Sequence, residues 1–359
     1  MKQIPIAKPI VGRSEIRAVK RVMKSGSLAQ GSEVARFEAE FSKFVMDREC
    51  VAVNSGTSAL HIALISLGIG FGDEVLVPSF TFAATANCVA LTGATPVFID
   101  IDPDTYNMNS DLIEPAITSK TKAILVVHLF GLPADMIKIS AIAKRNNLLI
   151  VEDAAQAHLA SIEEKNVGTF GDAAAFSFYP TKNMTTGEGG MVVLNDAQVA
   201  RSCRLLRNQG MEKRYQNEIV GFNLRMTDIH AAIGLEQLKN LEKWTDIRIE
   251  NASFLSERLP TGLAPIKPLG FKHVFHQYTI RLKKYRDEIS SNLTKMGIGN
   301  SIYYPTQVHT LPSFNLRQEL LETRLATEQV LSLPVHPSVS KKDLLRIVSS
   351  VVKSVEMYK

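Results

Sequence analysis

Short runs of apolar residues recur between residues 74 and 194, and segments with helical spacing separate them. A run of four or five residues without polar alternation is typical of a strand that is buried on both faces. Such strands belong to a mostly parallel sheet covered by helices on both sides. This alternation therefore predicts an α/β fold. The predicted strands are 74–78, 96–100, 123–127, 148–152, 173–177 and 190–194, and the predicted helices between them include 111–118 and 135–146.

The pattern changes near Trp244. A long helical stretch over about 227–259 ends at Pro260 and is followed by extended runs at 274–282 and 302–304, with a helix over about 286–296 between them. A chain of 359 residues is long enough for a large domain plus a smaller one. We expect a large domain over residues 1–243, whose N-terminal segment is free to pack with the second unit, and a small C-terminal α+β domain over residues 244–359.

Composition narrows the class of protein. No apolar stretch is long enough for a membrane helix, and the N-terminus lacks the apolar run of a signal peptide. Three widely spaced cysteines argue against a disulfide framework and against a metal site. The net charge of +5 comes without a basic block, which gives a nucleic-acid partner little support but suits an anionic substrate. The sequence predicts a cytoplasmic protein without a membrane partner.

Lys182 lies in a glycine-containing stretch, 176–190, downstream of Glu152-Asp153-Ala154-Ala155-Gln156. A lysine in such a loop is usually only a solvated side chain. A lysine that holds pyridoxal phosphate (PLP) as a Schiff base, however, needs an aspartate that keeps the pyridine nitrogen protonated. Asp153 alone also suits a helix cap, but ligands bind at the carboxyl ends of parallel strands, where Asp153 would lie. The pair predicts a PLP enzyme.

These residues and their neighbours resemble the DegT/StrS-type sugar aminotransferases, a branch of the aspartate aminotransferase-like (fold type I) PLP enzymes. Leu159 stands where that family usually has a glycine, and Tyr179-Pro180 replaces a histidine-containing turn. The resemblance implies a fold type I transferase whose large domain contains a mostly parallel seven-stranded sheet. The matching blocks, in the family's order, are 5–9, 54–61, 78–85, 152–158, 176–190, 221–228 and 303–305 with His309.

A phosphate site is predicted at the start of a helix. Ser55 to Ser58 precede an apolar stripe that includes Leu60, Ala63 and Leu64, so the free amides of the first turn point at whatever lies before them. Such a helix start favours an anion, although serine and threonine also serve as ordinary N-caps. With the resemblance, the predicted phosphate set is Gly56, Thr57, Ser58 and Ser177.

The resemblance also implies the rest of the cofactor site. Phe82 is expected to stack on the pyridine ring, with Phe80 as a rival, and Gln156 to hydrogen-bond the phenolic oxygen. Asn223 is expected to reach the PLP phosphate of a partner chain in a homodimer with shared active sites. Arg225 suits an anionic donor or substrate group. Tentative residues of the sugar pocket are His158, Tyr304, His309 and His336, although a core histidine is the commoner outcome.

The implied function is a transaminase that moves an amino group from an amino acid, with glutamate as the expected donor, to a nucleotide-activated keto sugar. The product would be an amino sugar for glycan or secondary-metabolite biosynthesis. PLP would cycle through pyridoxamine phosphate while Lys182 acts as general base and acid. Three alternatives stay open. They are a PLP-dependent sugar dehydratase, which Lys182 argues against, a fold type I enzyme acting on amino acids, such as a lyase, and a non-catalytic PLP-binding regulator.

Overall fold

Helices and strands alternate along the computed structural model, which describes residues 3–358. Its α-helices are α1 Arg13–Ser25, α2 Ser32–Ser42, α3 Gly56–Ser66, α4 Ala84–Leu91, α5 Met136–Asn146, α6 Ala197–Arg207, α7 Asp228–Leu238, α8 Leu241–Ser256, α9 Arg286–Lys295, α10 Leu321–Gln329 and α11 Lys341–Glu356. Its strands are β1 Glu49–Val53, β2 Glu74–Pro78, β3 Thr95–Ile99, β4 Thr121–Val127, β5 Leu149–Asp153, β6 Ser161–Ile162, β7 Lys165–Asn166, β8 Ala173–Ser177, β9 Gly190–Leu194, β10 Met211–Lys213, β11 Gln216–Asn217, β12 Phe271–Lys272, β13 Tyr278–Arg281 and β14 Val330–Leu333.

The main sheet has the strand order β1-β9-β8-β5-β4-β2-β3. The pairs β8–β5, β5–β4, β4–β2 and β2–β3 are parallel, whereas β9 runs antiparallel to both β8 and β1. The predicted α/β class with a mostly parallel seven-stranded sheet is confirmed. Asp153 and Ser177 are the last residues of the neighbouring parallel strands β5 and β8, so both lie at the carboxyl edge of the sheet.

Helices cover both faces of this sheet. On one face, α3, α4 and α6 pack against alternate strand residues such as Val151 and Val192. On the other face, α5 packs against Leu76 and Ile124, and α2 and α7 pack against the β8–β9 side. Successive strand residues point to opposite faces, so a strand covered on both faces must be apolar throughout. This explains why the strand runs of the sequence show no polar alternation.

A second apolar cluster lies around the antiparallel pair β13–β14, where α8, α9 and α11 pack. The N-terminal segment joins this cluster through Ile4, whose N–H donates to the carbonyl of Gly297 at 2.9 Å and whose carbonyl accepts from the Gly299 N–H at 2.7 Å. The N-terminal segment thus packs with the C-terminal unit, and the division at residues 243–244 stays a prediction. Across residues 3–358, no helix combines the length and the apolar character needed to cross a membrane.

Three predicted elements differ from the structure. Residues 111–118 form two short 3-10 turns rather than a helix, since Pro115 lacks the N–H that an α-helix needs. The stretch 227–259 divides into α7 and α8, because the Asn240 side chain donates to the Glu236 carbonyl at 3.2 Å and competes with the helical pattern. Residues 302–304 lie outside any strand; only the neighbouring Ser301 bridges to Ser332.

Candidate active site

Asp153 ends β5 as a buried carboxylate held by two donors. The hydroxyl of Thr85 donates to its Oδ2 at 2.8 Å, and the Ala155 N–H donates to its Oδ1 at 3.2 Å. Burial raises the pKa of Asp153, while these hydrogen bonds and the charge of Lys182 act in the opposite direction. A cationic partner would therefore favour the ionised form of this carboxyl group.

Lys182 lies in the turn that follows β8, where its N–H donates to the Tyr179 carbonyl at 2.9 Å. Burial lowers the pKa of its amine to about 8, and the Asp153 carboxylate partly offsets that effect. The fold thus brings Lys182 and Asp153 close enough for each to affect the pKa of the other. An amine with this pKa is partly neutral near physiological pH, as a nucleophile or a general base must be.

The start of α3 faces the end of β8. Ser55 is the N-cap, and its hydroxyl accepts from the Ser58 N–H at 3.1 Å. The amides of Gly56 and Thr57 have no carbonyl partner within the helix, as is usual in the first turn of a helix. A Cβ added to Gly56 would lie 2.7 Å from the Cβ of Ser177, so only glycine allows this close approach. The four predicted phosphate residues, Gly56, Thr57, Ser58 and Ser177, therefore lie close together, and Thr57 is the exposed member of the set.

Two phenylalanines follow β2, and they have different environments. Phe80 is fully buried against Tyr106 and Phe130, whereas Phe82 is 60% exposed. The Phe82 ring lies 6.1 Å from that of Tyr304, at 39°. Phe82 can therefore offer a ring face to a ligand, whereas Phe80 is committed to the core.

Gln156 connects the loop after β5 to two other segments. Its Oε1 accepts from the Phe130 N–H at 2.7 Å, and its Nε2 donates to the Tyr304 hydroxyl at 2.9 Å. Burial raises the pKa of Tyr304, which stays a neutral phenol. These contacts orient the Gln156 amide and leave its second N–H available for a ligand.

The charges and shape of this group of residues fit PLP. Helix amides and hydroxyls suit the phosphate, the Phe82 face suits the ring, Asp153 suits a protonated pyridine nitrogen and Lys182 suits the aldehyde. The close approach at Gly56 places the start of α3 next to the Ser177 side chain, so both can face one phosphate group.

Asn223 and Arg225 lie in an extended segment beside the start of α3. The Asn54 N–H donates to the Leu224 carbonyl at 2.9 Å, and the Arg225 backbone bridges to Val53. Asn223 is exposed, and Nη1 of Arg225 donates to Oδ1 of Asn208 at 2.8 Å.

The predicted histidines lie in the interior. His158 packs against Phe176 and Phe178, and neither ring nitrogen has a hydrogen-bond partner among the described residues. Its pKa is lowered to about 3 by burial and by the charges of Lys182 and Arg248. His309 is buried, with Nδ1 at 2.6 Å from the Ser79 hydroxyl and Nε2 at 2.9 Å from the Gln318 carbonyl. His336 donates through Nε2 to the Pro5 carbonyl at 3.1 Å.

Two residues of this region, Thr85 and Arg248, were not predicted from the sequence. Thr85 holds Asp153 but stood unassigned within the block 78–85. Arg248 is buried on α8, and a signal for it existed, because it shares the buried helical stripe of Leu241, Thr245, Ala252 and Leu255. A charged residue in an apolar stripe indicates either a buried ion pair or a ligand site.

Comparisons with known proteins agree with this geometry. The model of the DegT/DnrJ/EryC1/StrS aminotransferase family matches residues 9–352. The chain is 41% identical over 345 residues to a GDP-perosamine synthase of Caulobacter vibrioides, which covers 89% of this chain and 90% of that protein. It is also 39% identical over 348 residues to a pleiotropic regulatory protein of Geobacillus stearothermophilus, covering 94% of this chain and 93% of that protein.

A solved structure is similar along the whole chain. The structure of DesV from S. venezuelae, in complex with a ketimine intermediate, has a TM-score of 0.95 to this chain at 38% sequence identity. The similarity covers 99% of both chains.

Proposed function

This chain belongs to the DegT/DnrJ/EryC1/StrS aminotransferase family, and we propose that it transfers an amino group from an amino acid, with glutamate as the expected donor, to a keto sugar carried on a nucleoside diphosphate. The observation that carries this proposal is the Lys182 amine, whose pKa is lowered to about 8, beside the buried Asp153 carboxylate. The nucleotide-sugar class is supported by the relative named as a GDP-perosamine synthase.

PLP is the proposed cofactor, and each part of it has a residue to hold it. Gly56, Thr57, Ser58 and Ser177 would bind the phosphate, together with Asn223 of a partner chain. Phe82 would cover the ring, and Gln156 would donate to the phenolic oxygen. Asp153 would keep the ring nitrogen protonated, and Lys182 would hold the aldehyde carbon. When bound, PLP supplies an electron-accepting ring that makes the α-hydrogen of the donor acidic.

The protein's own part in the reaction is proton transfer and orientation. Nζ of Lys182 takes the proton from the α-carbon of the donor, since its lowered pKa leaves part of the amine neutral. The resulting ammonium lies near the Asp153 carboxylate, which stabilises it. The same nitrogen then returns the proton on the cofactor side, and the order reverses for the keto sugar.

Proposed substrate contacts are Tyr304 and Arg225, both of which are partly exposed. We propose that His309 positions its segment without contacting the substrate, because both of its ring nitrogens already bind protein groups. These bonds hold residues 308–318 beside β2. We propose that the His158 ring stays uncharged near Lys182, because its pKa lies well below physiological pH.

The test is a screen of keto sugars carried on different nucleoside diphosphates, with glutamate as the donor and mass spectrometry as the readout. We expect at least one sugar to gain an amino group while 2-oxoglutarate accumulates. The relative named as a regulatory protein makes PLP binding without turnover the competing function. Bound PLP with no conversion of any sugar, and no deamination of glutamate, would favour that function and contradict ours.

A further inference from the structure

A cavity lies behind the Lys182 loop, between the N-terminal segment, α7, α8 and Pro337. Its cavity volume is about 20 Å³, which is room for one small polar group such as a water molecule. Three cations line it, and uncharged polar groups complete the polar part of its wall. The cations are Lys8, Lys182 and Arg248, and the uncharged residues are Asn183, Thr185 and Gln237.

Arg248 is a buried cation without an acidic partner. Its side chain is 6% exposed, and its Nη1 donates only to the carbonyls of Phe275 and His276, at 3.3 and 3.5 Å. Its Nε has no hydrogen-bond partner, and no carboxylate forms an ion pair with it among residues 3–358. Burial lowers its pKa to about 10, with no acidic group acting in the opposite direction.

Arg207 provides the comparison within the same fold. It is 5% exposed, and its Nη1 donates to Oε1 of Glu38 at 2.6 Å and to the Ala52 carbonyl at 2.7 Å. A buried guanidinium normally has such a counter-charge, because taking an unpaired charge out of water is costly. Among residues 3–358, no acidic group plays this part for Arg248. Its environment therefore suits an anion from outside the chain.

None of the residues that line this cavity is acidic. Burial lowers the pKa of His158 and His276, and the charges of Lys182 and Arg248 lower both further. His336 has a pKa of about 4, lowered by burial and by the charges of Arg248 and Lys8, although Asp343 acts in the opposite direction. The three histidines are therefore neutral at physiological pH and do not add to the cations. The remaining positive potential favours a small anion.

We propose that Arg248, with Lys8, binds a carboxylate of the amino-acid donor in this cavity. The inference rests on the proposed function, because it assigns the donor site of that reaction. A guanidinium has a planar fork of donors that matches a carboxylate. The cavity adjoins Lys182, which must reach the α-carbon of the donor, and the α-carboxylate is attached directly to that carbon. The diphosphate of a nucleotide sugar is separated from the reacting carbon by sugar ring atoms and fits this position less well.

The test measures binding of glutarate, a dicarboxylate without an amino group, to the PLP-loaded enzyme by isothermal titration calorimetry. A charge-assisted hydrogen bond lost from a buried site corresponds to roughly a 10- to 100-fold weaker affinity. We expect Arg248→Met to show a loss of that size and Lys8→Gln, on an exposed residue, a smaller one. Arg204→Met is the arginine control, because Arg204 forms an ion pair with Glu49 at the surface, and this variant should bind glutarate like the wild type. Equal affinity in wild type and Arg248→Met, or an equal loss in Arg204→Met, would overturn the proposal.

Folding is checked independently, because Arg248 also holds the carbonyls of Phe275 and His276. The variant must keep the wild-type circular dichroism and the absorbance of bound PLP. If Arg248→Met does not fold, Lys8→Gln decides. Weaker glutarate binding in that variant supports the site, and unchanged binding overturns it.

Half-reactions separate this inference from the proposed function. Enzyme loaded with the amino form of the cofactor should aminate the keto sugar at the same single-turnover rate in wild type and Arg248→Met, while the KM for glutamate rises. Sugar amination with an unchanged KM for glutamate in the variant would contradict the donor site alone. Glutarate binding that depends on Arg248, without amination of any sugar, would contradict the proposed function alone.

Discussion

Burial of Lys182 has a measurable consequence for the stability of the cofactor-free protein. Its amine has a pKa of about 8 in the fold, against roughly 10.4 in an unfolded chain. Between these values the unfolded state binds the proton and the folded state does not, so this group makes the free energy of unfolding rise with pH. Below about pH 8 the Lys182 amine is protonated in both states, so the folded state carries the full cost of burying the charge.

We therefore expect Lys182→Met to be more stable than the wild type at pH 7 when neither protein holds cofactor. The difference should shrink as pH rises from about 8 to about 10. Urea unfolding at several pH values, followed by circular dichroism, measures it. A difference that stays constant over this range would show that Lys182 is not buried as an ammonium.

Asp153 is expected to control the chemistry rather than the binding of the cofactor. The substitution Asp153→Asn keeps the shape and the hydrogen bond from Thr85 but removes the negative charge. Transamination should fall by roughly 100-fold or more, the scale on which a preorganised charge acts, while PLP stays bound. Steady-state kinetics and the absorbance of the purified protein measure the two effects.

Asp172→Asn is the matched control, because Oδ2 of Asp172, which directly precedes β8, accepts the N–H of Ile150 on β5 at 2.9 Å. It should retain most of the activity. Comparable losses in the two variants would mean that the fold of the β5 region, and not the charge at residue 153, sets the rate.

At the scale of elements, the approach of α3 to β8 is what shapes the phosphate site. In Gly56→Ala, the new Cβ would lie 2.7 Å from the Cβ of Ser177, whereas unstrained carbons lie about 3.5–4.0 Å apart. The helix start and the strand end must then separate by roughly 1 Å. We expect PLP affinity to fall at least tenfold, measured by titration of the cofactor-free protein.

Gly70→Ala is the control for this change, since its Cβ would meet only the Thr92 carbonyl at an ordinary 3.7 Å. It should bind PLP like the wild type. Wild-type affinity in Gly56→Ala would show that the phosphate lies elsewhere.

The elements differ in how far the sequence predicts them. The strands β2, β4, β5, β8 and β9 were predictable, because burial on both faces leaves an apolar run with little ambiguity. The break between α7 and α8 was not, since the side-chain bond of Asn240 that favours it depends on local geometry rather than on periodicity. β1 was not predicted, although Glu49–Val53 is as long as β2 and mostly buried; it pairs only with β9, a strand distant in sequence.

The same contrast holds within the site. Lys182 and Asp153 stand in motifs whose chemistry dictates residue type, so the sequence predicts their roles, and the fold places the two residues near each other. Thr85 acts through a contact between distant segments, which no local pattern records. Arg248 differs, because its place in the buried stripe of α8 was a local signal that was not used. Leu159 illustrates the limit of motif comparison. It occupies a position where the resembling family usually has glycine, and it does so with φ of 66°. The backbone is left-handed at this residue, a conformation that a leucine adopts at a cost.

At the scale of the whole molecule, the segment before Asn223 exposes apolar side chains. Val220 is 92% exposed, and Tyr215 and Phe222 are also exposed. Exposed apolar residues grouped in this way mark an interaction surface. A symmetric dimer would cover them and would bring Asn223 and Arg225 of each chain to the site of the other, because an isologous interface contacts itself reciprocally. We propose that the active sites are shared in this way.

Complementation tests the shared site. One parent protein is Lys182→Ala, which cannot hold or move the proton at Nζ. The other carries Asn223→Ala and Arg225→Ala and lacks the groups that would reach the partner. After subunit exchange, one site of a mixed dimer collects all the lesions. The other site combines an intact Lys182 from one chain with an intact Asn223 and Arg225 from its partner.

That second site should be active. Random exchange makes about half of the dimers mixed, each with one complete site, so activity should approach about a quarter of the wild-type value and exceed that of either parent. Exchange itself is verified by mass spectrometry of differently tagged chains. If the tagged chains exchange and activity does not rise, Asn223 and Arg225 serve their own chain. Their position beside the start of α3 of the same chain would then be the functional one.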